Sequence, residues 1–359
     1  MRLSSVEVIP YALPFKEPYV TARGVLQRRE MVLLRLRDED GVVGLGEAVP
    51  LSLRGGVGLA EVVRELEGWA EAQEDEVLSA PAACAVTTAR MDLLGRRAGS
   101  GSSAGGEAVP CNATLVAGQP EKVAAEAERW AADGFATFKL KLGAESAKNL
   151  VEQGKSRTRV GDGVGDVEQV RAVREAIGPS ARIRVDANAA WEFETAKRTL
   201  AELEPYGIEL AEQPVATLEE MAELAESTSI PLAADESVAT LEEAERAAAM
   251  GACAYTGIKL SKVGGPEAAL AIADVLPAFI TSALDGPVGI AAGAQVARSL
   301  AETGHPERLE LAHGLATQRL FAETIAAVEC ELRDGMLHLP PGPGLGIEID
   351  EEALQAHRI

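Results

Sequence analysis

Two lysines, Lys139 and Lys141, are separated by one leucine in an apolar and aromatic stretch, residues 135–143. This stretch ends at a glycine and is typical of a β-strand, in which alternate side chains share a face, so both ammonium groups point the same way. Burying two like charges side by side is costly, and a fold keeps such a pair only if anions or a reaction require it. An edge strand with two solvated lysines is the ordinary alternative for this pattern.

Three carboxylates and a third lysine follow downstream and favour the chemical interpretation. Roughly 25 residues, the length of one strand–helix unit, separate each from the next: Asp186, Glu212, Asp235 and Lys259. Each stands at the end of a predicted strand, and the carboxyl ends of barrel strands converge on one site. Three carboxylates without a counter-charge would repel one another, whereas a hard divalent cation with oxygen ligands removes the repulsion. The spacing therefore predicts a site for one Mg²⁺.

Lysines on both sides of a bound carboxylate suit the removal of a proton from the adjacent carbon. A cation acidifies that carbon and, with a neighbouring ammonium, lowers the pKa of a lysine so that it can act as a base. We predict that Lys141, at the strand tip, is the base and that Lys139, one pleat deeper, tunes it. Lys259 is predicted to stabilise the enediolate, or to protonate it from the opposite face. Asn188 is predicted as a supporting residue.

The elements that position these residues are predicted from hydrophobic periodicity. From residue 106 onward the chain alternates strand and helix, which predicts a parallel sheet. The length of this part of the chain matches the about 250 residues typical of a (β/α)8 barrel. The predicted strands are 110–117, 135–142, 182–187, 208–212, 230–235, 255–260, 278–283 and 309–312. The predicted helices are 120–132, 166–177, 192–204, 217–227, 240–250, 265–275, 288–303 and 316–327. An open doubly wound sheet is the alternative, which the lack of a nucleotide fingerprint weakens.

The first 105 residues predict a separate α+β capping domain. Residues 3–11, 29–38 and 41–47 form an antiparallel meander, and residues 58–72 and 78–98 form helices. A Ser/Gly-rich segment, 99–106, is predicted to be a linker or mobile loop. The barrel domain then covers 106–327, and residues 328–359 return to the capping domain. Residues 144–165 are predicted to be a flexible surface insertion and a candidate lid.

Composition and charge exclude several classes of function. The chain has 359 residues, 47% hydrophobic and 25% charged, which is ordinary for a globular enzyme. Its net charge of −22 argues against nucleic acid or an anionic membrane as partner. Without a signal peptide or a run of about 18 apolar residues, we expect a cytoplasmic protein with free cysteines and a small carboxylate substrate. The histidine and cysteine spacing fits no zinc site, and the oligomeric state stays open.

The order KxK, Asp, Glu, Asp, Lys resembles that of the enolase superfamily, in particular its muconate-lactonizing subgroup, over essentially the whole chain. This resemblance implies a modified TIM barrel under a capping domain. It also implies that Asp186, Glu212 and Asp235 hold Mg²⁺, that Lys141 is the base and that Lys259 lies on the other face.

Three further stretches, residues 13–24, 281–289 and 342–346, resemble the o-succinylbenzoate synthase family. The first implies a mobile capping loop that brings Thr21 and Arg23 to the substrate. The second implies a turn that receives the succinyl group, with Ser282, Leu284 and Asp285. The implied reaction is a lyase step in menaquinone biosynthesis, the Mg-dependent syn dehydration of 2-succinyl-6-hydroxy-2,4-cyclohexadiene-1-carboxylate to 2-succinylbenzoate through a lysine-generated enediolate.

Two departures from that family leave the substrate open. Gly286-Pro287 stands where the family commonly carries another pair, and the 144–165 insertion is additional. An N-acylamino acid racemase or dipeptide epimerase, with Lys141 and Lys259 as two bases, is the nearest alternative. Such epimerases usually carry an acidic motif after the eighth strand, whereas residues 310–315 read ELAHGL. A muconate cycloisomerase, or a non-catalytic structural or binding relative, is a further alternative.

Overall fold

The N-terminal part of the chain folds as an antiparallel sheet with two helices. In the computed structural model, which describes residues 2–21, 24–52, 55–72, 77–102, 108–143, 164–302 and 311–359, three strands pair in sequence order. They are β1 (Leu3–Thr21), β2 (Gly24–Asp38) and β3 (Val43–Ala48), followed by helices α1 (Leu59–Ala72) and α2 (Ala80–Ala98). The meander and both helices are confirmed. Residues 13–21 of the expected mobile capping loop continue strand β1, and residues 19–21 pair with residues 24–26. The capping role of this segment stays a prediction.

The capping sheet is buried on both faces, and β2 shows why. Val32, Leu34 and Leu36 belong to the core under α1 and α2, whereas Met31 and Leu33 point the other way, into the core shared with the barrel. Successive side chains alternate across a strand, so a strand between two cores must be apolar throughout. Burying each such side chain stabilises the fold by about 1.5–3 kcal/mol. The capping sheet is therefore a middle layer between its own helices and the barrel.

Helix α2 packs so closely on β3 that glycine is required at two positions. A Cβ at Gly44 or Gly46 would overlap the backbone carbonyls of Ala89 and Ala85 in α2. Because this side of β3 carries no side chains at those two positions, helix and strand meet backbone to backbone. The next residue, Glu47, is only 2% exposed and points towards the barrel.

Seven parallel strands form the curved sheet of the barrel, paired in sequence order. Two short strands precede them, β4 (Gly101–Ser102) and β5 (Ala108–Pro110). The barrel strands are β6 (Ala113–Leu115), β7 (Thr137–Lys141), β8 (Arg182–Asp186), β9 (Ile208–Glu212), β10 (Leu232–Ala234), β11 (Tyr255–Ile258) and β12 (Ala278–Ile280). Each lies inside its predicted range, so the parallel barrel is confirmed and the doubly wound alternative is not.

Residues 311–314 close the barrel in the position of the eighth strand. The N–H of Asn112, directly before β6, donates to the His313 carbonyl at 2.9 Å, and the N–H of Gly314 donates to Ile280 of β12 at 2.8 Å, so the segment bonds beside both edges of the sheet. The His313 ring helps, because its Nδ1 accepts the N–H of Ile280 at 3.0 Å. Burial and the nearby charge of Arg184 lower the pKa of His313 to about 3, so the ring stays neutral.

The connecting helices agree with their predicted ranges within two residues. They are α3 (Pro120–Ala132), α4 (Val164–Ile177), α5 (Phe193–Leu203), α6 (Leu218–Ala225), α7 (Leu241–Met250), α8 (Leu260–Val263), α9 (Pro266–Val275) and α10 (Pro287–Glu302), of which the short α8 was not predicted. Helices α6 and α7 each begin with a reciprocal capping box in a repeated Thr-Leu-Glu-Glu motif. The predicted insertion lies outside the described residues as far as residue 163.

The helix predicted at residues 316–327 is wrong. The chain there forms a single 3-10 turn, Ala316–Leu320, and then strand β13 (Ala326–Val328). The ring of Phe321 stacks on Phe15 of the capping sheet, with ring centroids 5.1 Å apart, and the N–H of Ala322 donates to Pro14 at 2.9 Å. These tertiary contacts outweigh the weak helical preference of the segment.

The last residues run back to the capping sheet. They form β14 (Glu331–Arg333), β15 (Met336–His338), β16 (Gly342–Pro343), β17 (Glu348–Ile349) and α11 (Glu351–His357). Strand β15 pairs with β5 and β16 with β4, so residues 101–102 of the predicted linker are in a sheet. The N–H of Ile359 donates to Pro10 of β1 at 3.1 Å. The domain boundaries themselves stay predictions.

All four cysteines are free, and the described helices include none able to span a membrane.

Candidate active site

The register of the parallel strands brings the predicted residues to one end of the barrel. Lys141 of β7 pairs with Asp186 of β8, which pairs in turn with Glu212 of β9. Asp235 and Lys259 are the first residues after β10 and β11. Because the carboxyl ends of barrel strands lie at the same face, the five side chains converge. Strands β7 and β11 carry the two lysines, and the three strands between them carry the three carboxylates.

The alternation predicted for β7 is confirmed, and its lysines are not solvated edge residues. Phe138 and Leu140 are fully buried in the apolar core, and the opposite face turns Lys139 into the barrel, where it is 5% exposed. Strand β7 lies between β6 and β8 and is therefore not an edge. The Lys141 side chain, at the strand tip, keeps 21% exposure at the barrel mouth.

Lys139 lies between two buried carboxylates. Its Nζ is 3.1 Å from Asp186 Oδ2 and 3.1 Å from Glu212 Oε2. Burial alone would lower the pKa of Lys139, but the charges of Glu212, Asp186 and Asp235 outweigh burial and raise this pKa above its ordinary value. Lys139 is therefore held as an ammonium, which fits a role as a fixed positive charge and not as a base.

Lys141 contacts Asp186 and Asn188. It forms an ion pair with the Asp186 carboxylate, and its Nζ donates to Asn188 Oδ1 at 3.0 Å. Burial would raise the pKa of Asp186, but Lys141 and Lys139 outweigh burial and hold that pKa well below its usual range. Asn188 has a φ of +47°, and its N–H donates to Asp186 Oδ1 at 3.0 Å, so backbone strain is kept at a point that orients the carboxylate.

Two lysines contact Asp235, and only one of them was predicted. Lys259 forms an ion pair with Asp235 Oδ2, while Lys262 donates to Asp235 Oδ1 at 3.0 Å and also to the Asp235 carbonyl. Lys262 is one turn further along α8, and its side chain is 9% exposed. The Lys-Leu-Ser-Lys spacing was the available signal, because residues three apart on a helix share a face.

A buried amide fixes the backbone that carries Asp235. The Oε1 of Gln213, which is fully buried, accepts the N–H of Asp235 at 2.9 Å and the hydroxyl of Ser237 at 2.9 Å. Gln213, directly after β9, has a φ of +39°, so strained backbone follows this barrel strand as well. Sequence reasoning missed Gln213, because its neighbour Glu212 alone carried an evident chemical role.

The two parts of the chain each match a known family. Residues 122–353 match the family described as "Enolase C-terminal domain-like", and residues 4–65 match the "Mandelate racemase / muconate lactonizing enzyme, N-terminal domain". The chain belongs to the enolase superfamily. The resemblance stated from the lysine and carboxylate spacing is confirmed at this level.

Curated relatives in this superfamily carry different activities. An o-succinylbenzoate synthase of Thermobifida fusca is 38% identical over 217 residues, which cover 60% of this chain and 61% of that protein, less than two thirds of its length. Muconate cycloisomerase 1 of Pseudomonas putida is 29% identical over 386 residues, 97% of this chain and 96% of that protein. A muconate lactonizing enzyme from Pseudomonas fluorescens, solved with muconolactone, has a TM-score of 0.83 and 29% identity, covering 100% of this chain and 99% of its own.

The superfamily implies a divalent metal, and the donors here suit one. Asp186, Glu212 and Asp235 offer only carboxylate oxygens, the ligands that Mg²⁺ prefers. Burial and then the charge of Asp186 raise the pKa of Glu212, so these carboxylates repel one another, and a cation would relieve that repulsion. Lysine ammonium groups take up the oxygens, and within the described ranges no three His, Cys, Asp or Glu side chains are already grouped as a metal site. Mg²⁺ binding here stays a prediction that requires the lysine contacts to rearrange.

The turn after β12 contains three residues predicted to bind substrate. Asp285 accepts the Ser282 hydroxyl at 2.6 Å and the Ala283 N–H at 2.7 Å, and the Ser282 hydroxyl accepts the N–H of Leu284 at 3.0 Å. Leu284 has a φ of +68°, which these bonds hold in place. The side chains of Ser282 and Asp285 therefore support the turn itself, and contact with a substrate stays a prediction.

The predicted substrate residues of the capping domain lie outside what can be described. Arg23 and the side chain of Thr21 are outside the described residues. A cavity of about 820 Å³, lined by Leu13, Pro287 and Arg319 among others, reaches the turn at Asp285. None of the predicted lysines and carboxylate ligands lines this cavity, so it is separate from the strand-end cluster.

Proposed function

We propose that the protein is an o-succinylbenzoate synthase, a Mg-dependent lyase that dehydrates 2-succinyl-6-hydroxy-2,4-cyclohexadiene-1-carboxylate. The observation that carries the reaction class is the position of Lys141 and Lys259 on opposite strands of the barrel, with three buried carboxylates on the strands between them. The choice of substrate is supported by the identity to the Thermobifida fusca synthase, which is higher than that to the cycloisomerase, although over a shorter length.

The chain's own residues account for the proton movements. Lys141, as the free amine, takes the proton from the carbon beside the substrate carboxylate, and the electron pair of that C–H bond moves into the carboxylate to give the enediolate. The pair then returns to the ring, the C–O bond of the hydroxyl breaks, and the Lys141 ammonium gives its proton to the departing hydroxide as water. One proton and one hydroxide leave, and the ring becomes aromatic.

The positive groups around the site stabilise the charge that develops. Lys259, on the face opposite Lys141, stays an ammonium beside the enediolate, and Lys139 adds a second fixed charge below. Asp186, Glu212 and Asp235 would hold the metal ion, which when bound acidifies the carbon beside the carboxylate and balances negative charge. Asn188 and Gln213 hold the two flanking aspartates in place, so little reorganisation is needed during the reaction.

The dehydration is tested directly with the purified protein, the cyclohexadiene carboxylate and Mg²⁺. We expect 2-succinylbenzoate to form at a rate proportional to enzyme, and to stop when the metal is chelated. Product formation that is unchanged by a chelator, or absent at high enzyme concentration, would reject the proposal.

A second activity is favoured by one observation, the placement of lysines on both faces. An N-acylamino acid racemase or dipeptide epimerase would use Lys141 and Lys259 as alternate bases on the α-carbon. However, the described residues that close the barrel after β12, 311–315, carry no acidic side chain that could hold the amino group of a dipeptide substrate. In deuterated water, exchange at the α-carbon of an N-succinyl amino acid faster than diene dehydration would favour the racemase. A parallel assay with muconate tests the cycloisomerase reaction.

A further inference from the structure

A buried carboxyl group connects the capping sheet to the barrel, away from the lysine cluster. Glu47, near the end of β3, accepts the hydroxyl of Tyr11 of β1 through Oε2 at 2.8 Å. Its Oε1 accepts the N–H of Gly286, in the turn after β12, at 2.7 Å. Glu47 is 2% exposed and Tyr11 is fully buried. One side chain therefore ties two capping strands to the turn that carries the predicted substrate residues.

The turn fits around this carboxyl so closely that it needs glycine. A Cβ at Gly286 would overlap the hydroxyl of Tyr11 and lie 2.7 Å from Glu47 Oε2. A Cβ at Gly289 would lie 2.7 Å from Glu47 Oε1 and 3.1 Å from Asp285 Oδ1, so the two carboxyl groups approach the same point. Gly286 belongs to the Gly-Pro pair by which the sequence departs from the o-succinylbenzoate synthase pattern. The space of the missing side chain is taken by Glu47 and Tyr11.

We infer that Glu47 is a positioning residue that fixes the turn at residues 282–286 against the capping sheet. Asp285 of this turn also accepts the hydroxyl of Ser261 at 3.3 Å, and Ser261 lies in α8, two residues after Lys259. Arg29 of β2 donates to the carbonyl of Ala283 in the same turn at 3.2 Å. The capping sheet thus holds the seventh-strand turn directly and the segment after Lys259 through Asp285.

The protonation of Glu47 supports this role. The groups that face it are Tyr11 from β1, Cys84 from α2 and Asp285 from the turn, and each of them is neutral or acidic. Burial raises the pKa of Glu47, the charge of Asp285 raises it further, and the hydrogen bonds from Tyr11 and Gly286 offset part of the rise, to give about 8. At neutral pH the carboxyl is mostly protonated, and its ionisation would place two negative charges together in a buried contact.

The direction of the pH effect follows from this raised pKa. Between the ordinary pKa of 4.5 and about 8, the folded chain keeps a proton that the unfolded chain releases. The contribution of Glu47 to the free energy of unfolding is therefore largest below pH 4.5, falls as the pH rises towards 8, and stays constant above pH 8. A neutral glutamine of the same shape has no such loss.

The first experiment measures the melting temperature of the full chain from pH 5 to pH 9. The melting temperature of Glu47→Gln minus that of the native protein should increase as the pH rises to about 8 and stay constant at higher pH. Glu47→Ala should melt lower at every pH, because the Gly286 N–H and the Tyr11 hydroxyl lose their acceptor. Glu61→Gln, an exposed glutamate on α1, is the matched control and should follow the native curve. Parallel curves for native and Glu47→Gln would overturn the inference.

The second experiment measures kcat and KM and rests on the proposed dehydration. Glu47→Ala should raise KM about tenfold, as expected for a lost buried hydrogen bond that held the turn, with a smaller effect on kcat. Glu47→Gln should restore KM and remove any rise of KM above pH 8. An unchanged KM in Glu47→Ala would overturn the positioning role. If the native protein does not turn over the diene but the melting curves diverge as described, the proposed function fails and the Glu47 inference stands.

Discussion

Two regions of the molecule bury carboxyl groups, and they deal with the charge in opposite ways. In the strand-end cluster, lysines surround the carboxylates, and the pKa of Asp186 lies well below its usual range. At the contact between the capping sheet and the turn at residues 282–286, Glu47 faces the like charge of Asp285, and burial together with that charge raises the pKa of Glu47 to about 8. The first region keeps charge in the protein interior, and the second keeps a proton there.

This difference separates a site built for chemistry from a site built for shape. A buried carboxylate that is paired with an ammonium group can exchange that partner for a metal ion, and the ammonium group can then bind a carboxylate substrate. A carboxyl group that is protonated and bonded to a backbone N–H has no ionic partner that a metal ion or substrate could replace. Its main effect is to fix a turn. Glu212 also belongs to the first kind, because it pairs with Lys139, which it shares with Asp186. Burial and the charge of Asp186 nevertheless raise the pKa of Glu212.

The largest expected effect is the loss of activity in Lys141→Ala. If Lys141 is the base, the dehydration rate should fall about 10²–10⁴-fold in protein that stays folded. Steady-state kinetics with the cyclohexadiene carboxylate measure the change. Lys197→Ala, an exposed lysine on α5, should keep native activity. Equal activity in both variants would remove Lys141 from the mechanism.

Lys139→Met tests whether the cluster is held together by balanced charge. Without this ammonium, Glu212 loses its lysine partner in a buried setting, and the free energy of unfolding should fall by about 3–5 kcal/mol in metal-free protein. Urea denaturation followed by circular dichroism provides the value. The same substitution at Lys197 is the control and should change stability by less than about 0.5 kcal/mol. A loss that small at Lys139 would contradict the contrast between the two regions.

Lys262→Met tests the lysine that sequence reasoning missed. Lys262 contacts both the carboxylate and the carbonyl of Asp235 and so orients this residue. If Asp235 is a metal ligand, removal of Lys262 should weaken Mg²⁺ binding about 10- to 100-fold, the size known for residues that orient metal ligands. Titration calorimetry of the two proteins gives the ratio. Lys122→Met, exposed on α3, should bind Mg²⁺ as the native protein does. Unchanged affinity in Lys262→Met would limit Lys262 to a structural contact.

Tyr11→Phe gives the smallest effect and probes the second region. The substitution removes one buried hydrogen bond to Glu47 and should cost about 1 kcal/mol of stability, with Mg²⁺ affinity unchanged. Chemical denaturation and calorimetry on the same samples measure both quantities. Tyr206→Phe, in a half-buried tyrosine before β9, is the control. A change in Mg²⁺ affinity in Tyr11→Phe would show that the two regions are not independent.

How much the sequence predicts depends on how far each feature relies on distant contacts. The barrel strands and the Lys139, Asp186 and Glu212 positions follow from local periodicity and the length of one strand–helix unit, so they were predictable. The helix expected at residues 316–327 failed because Phe321 packs on the capping sheet. Glu47 was not recognised because its partner Gly286 is 239 residues away in the chain.

The most direct test of the central claim is a calorimetric titration of Mg²⁺ into the native protein and three variants, Asp186→Asn, Glu212→Gln and Asp235→Asn. We expect one saturable ion per native chain, lost in each of the three variants and kept in Glu242→Gln, a variant of an exposed glutamate on α7. No saturable binding to the native protein at millimolar Mg²⁺, or equal binding in all five proteins, would contradict it.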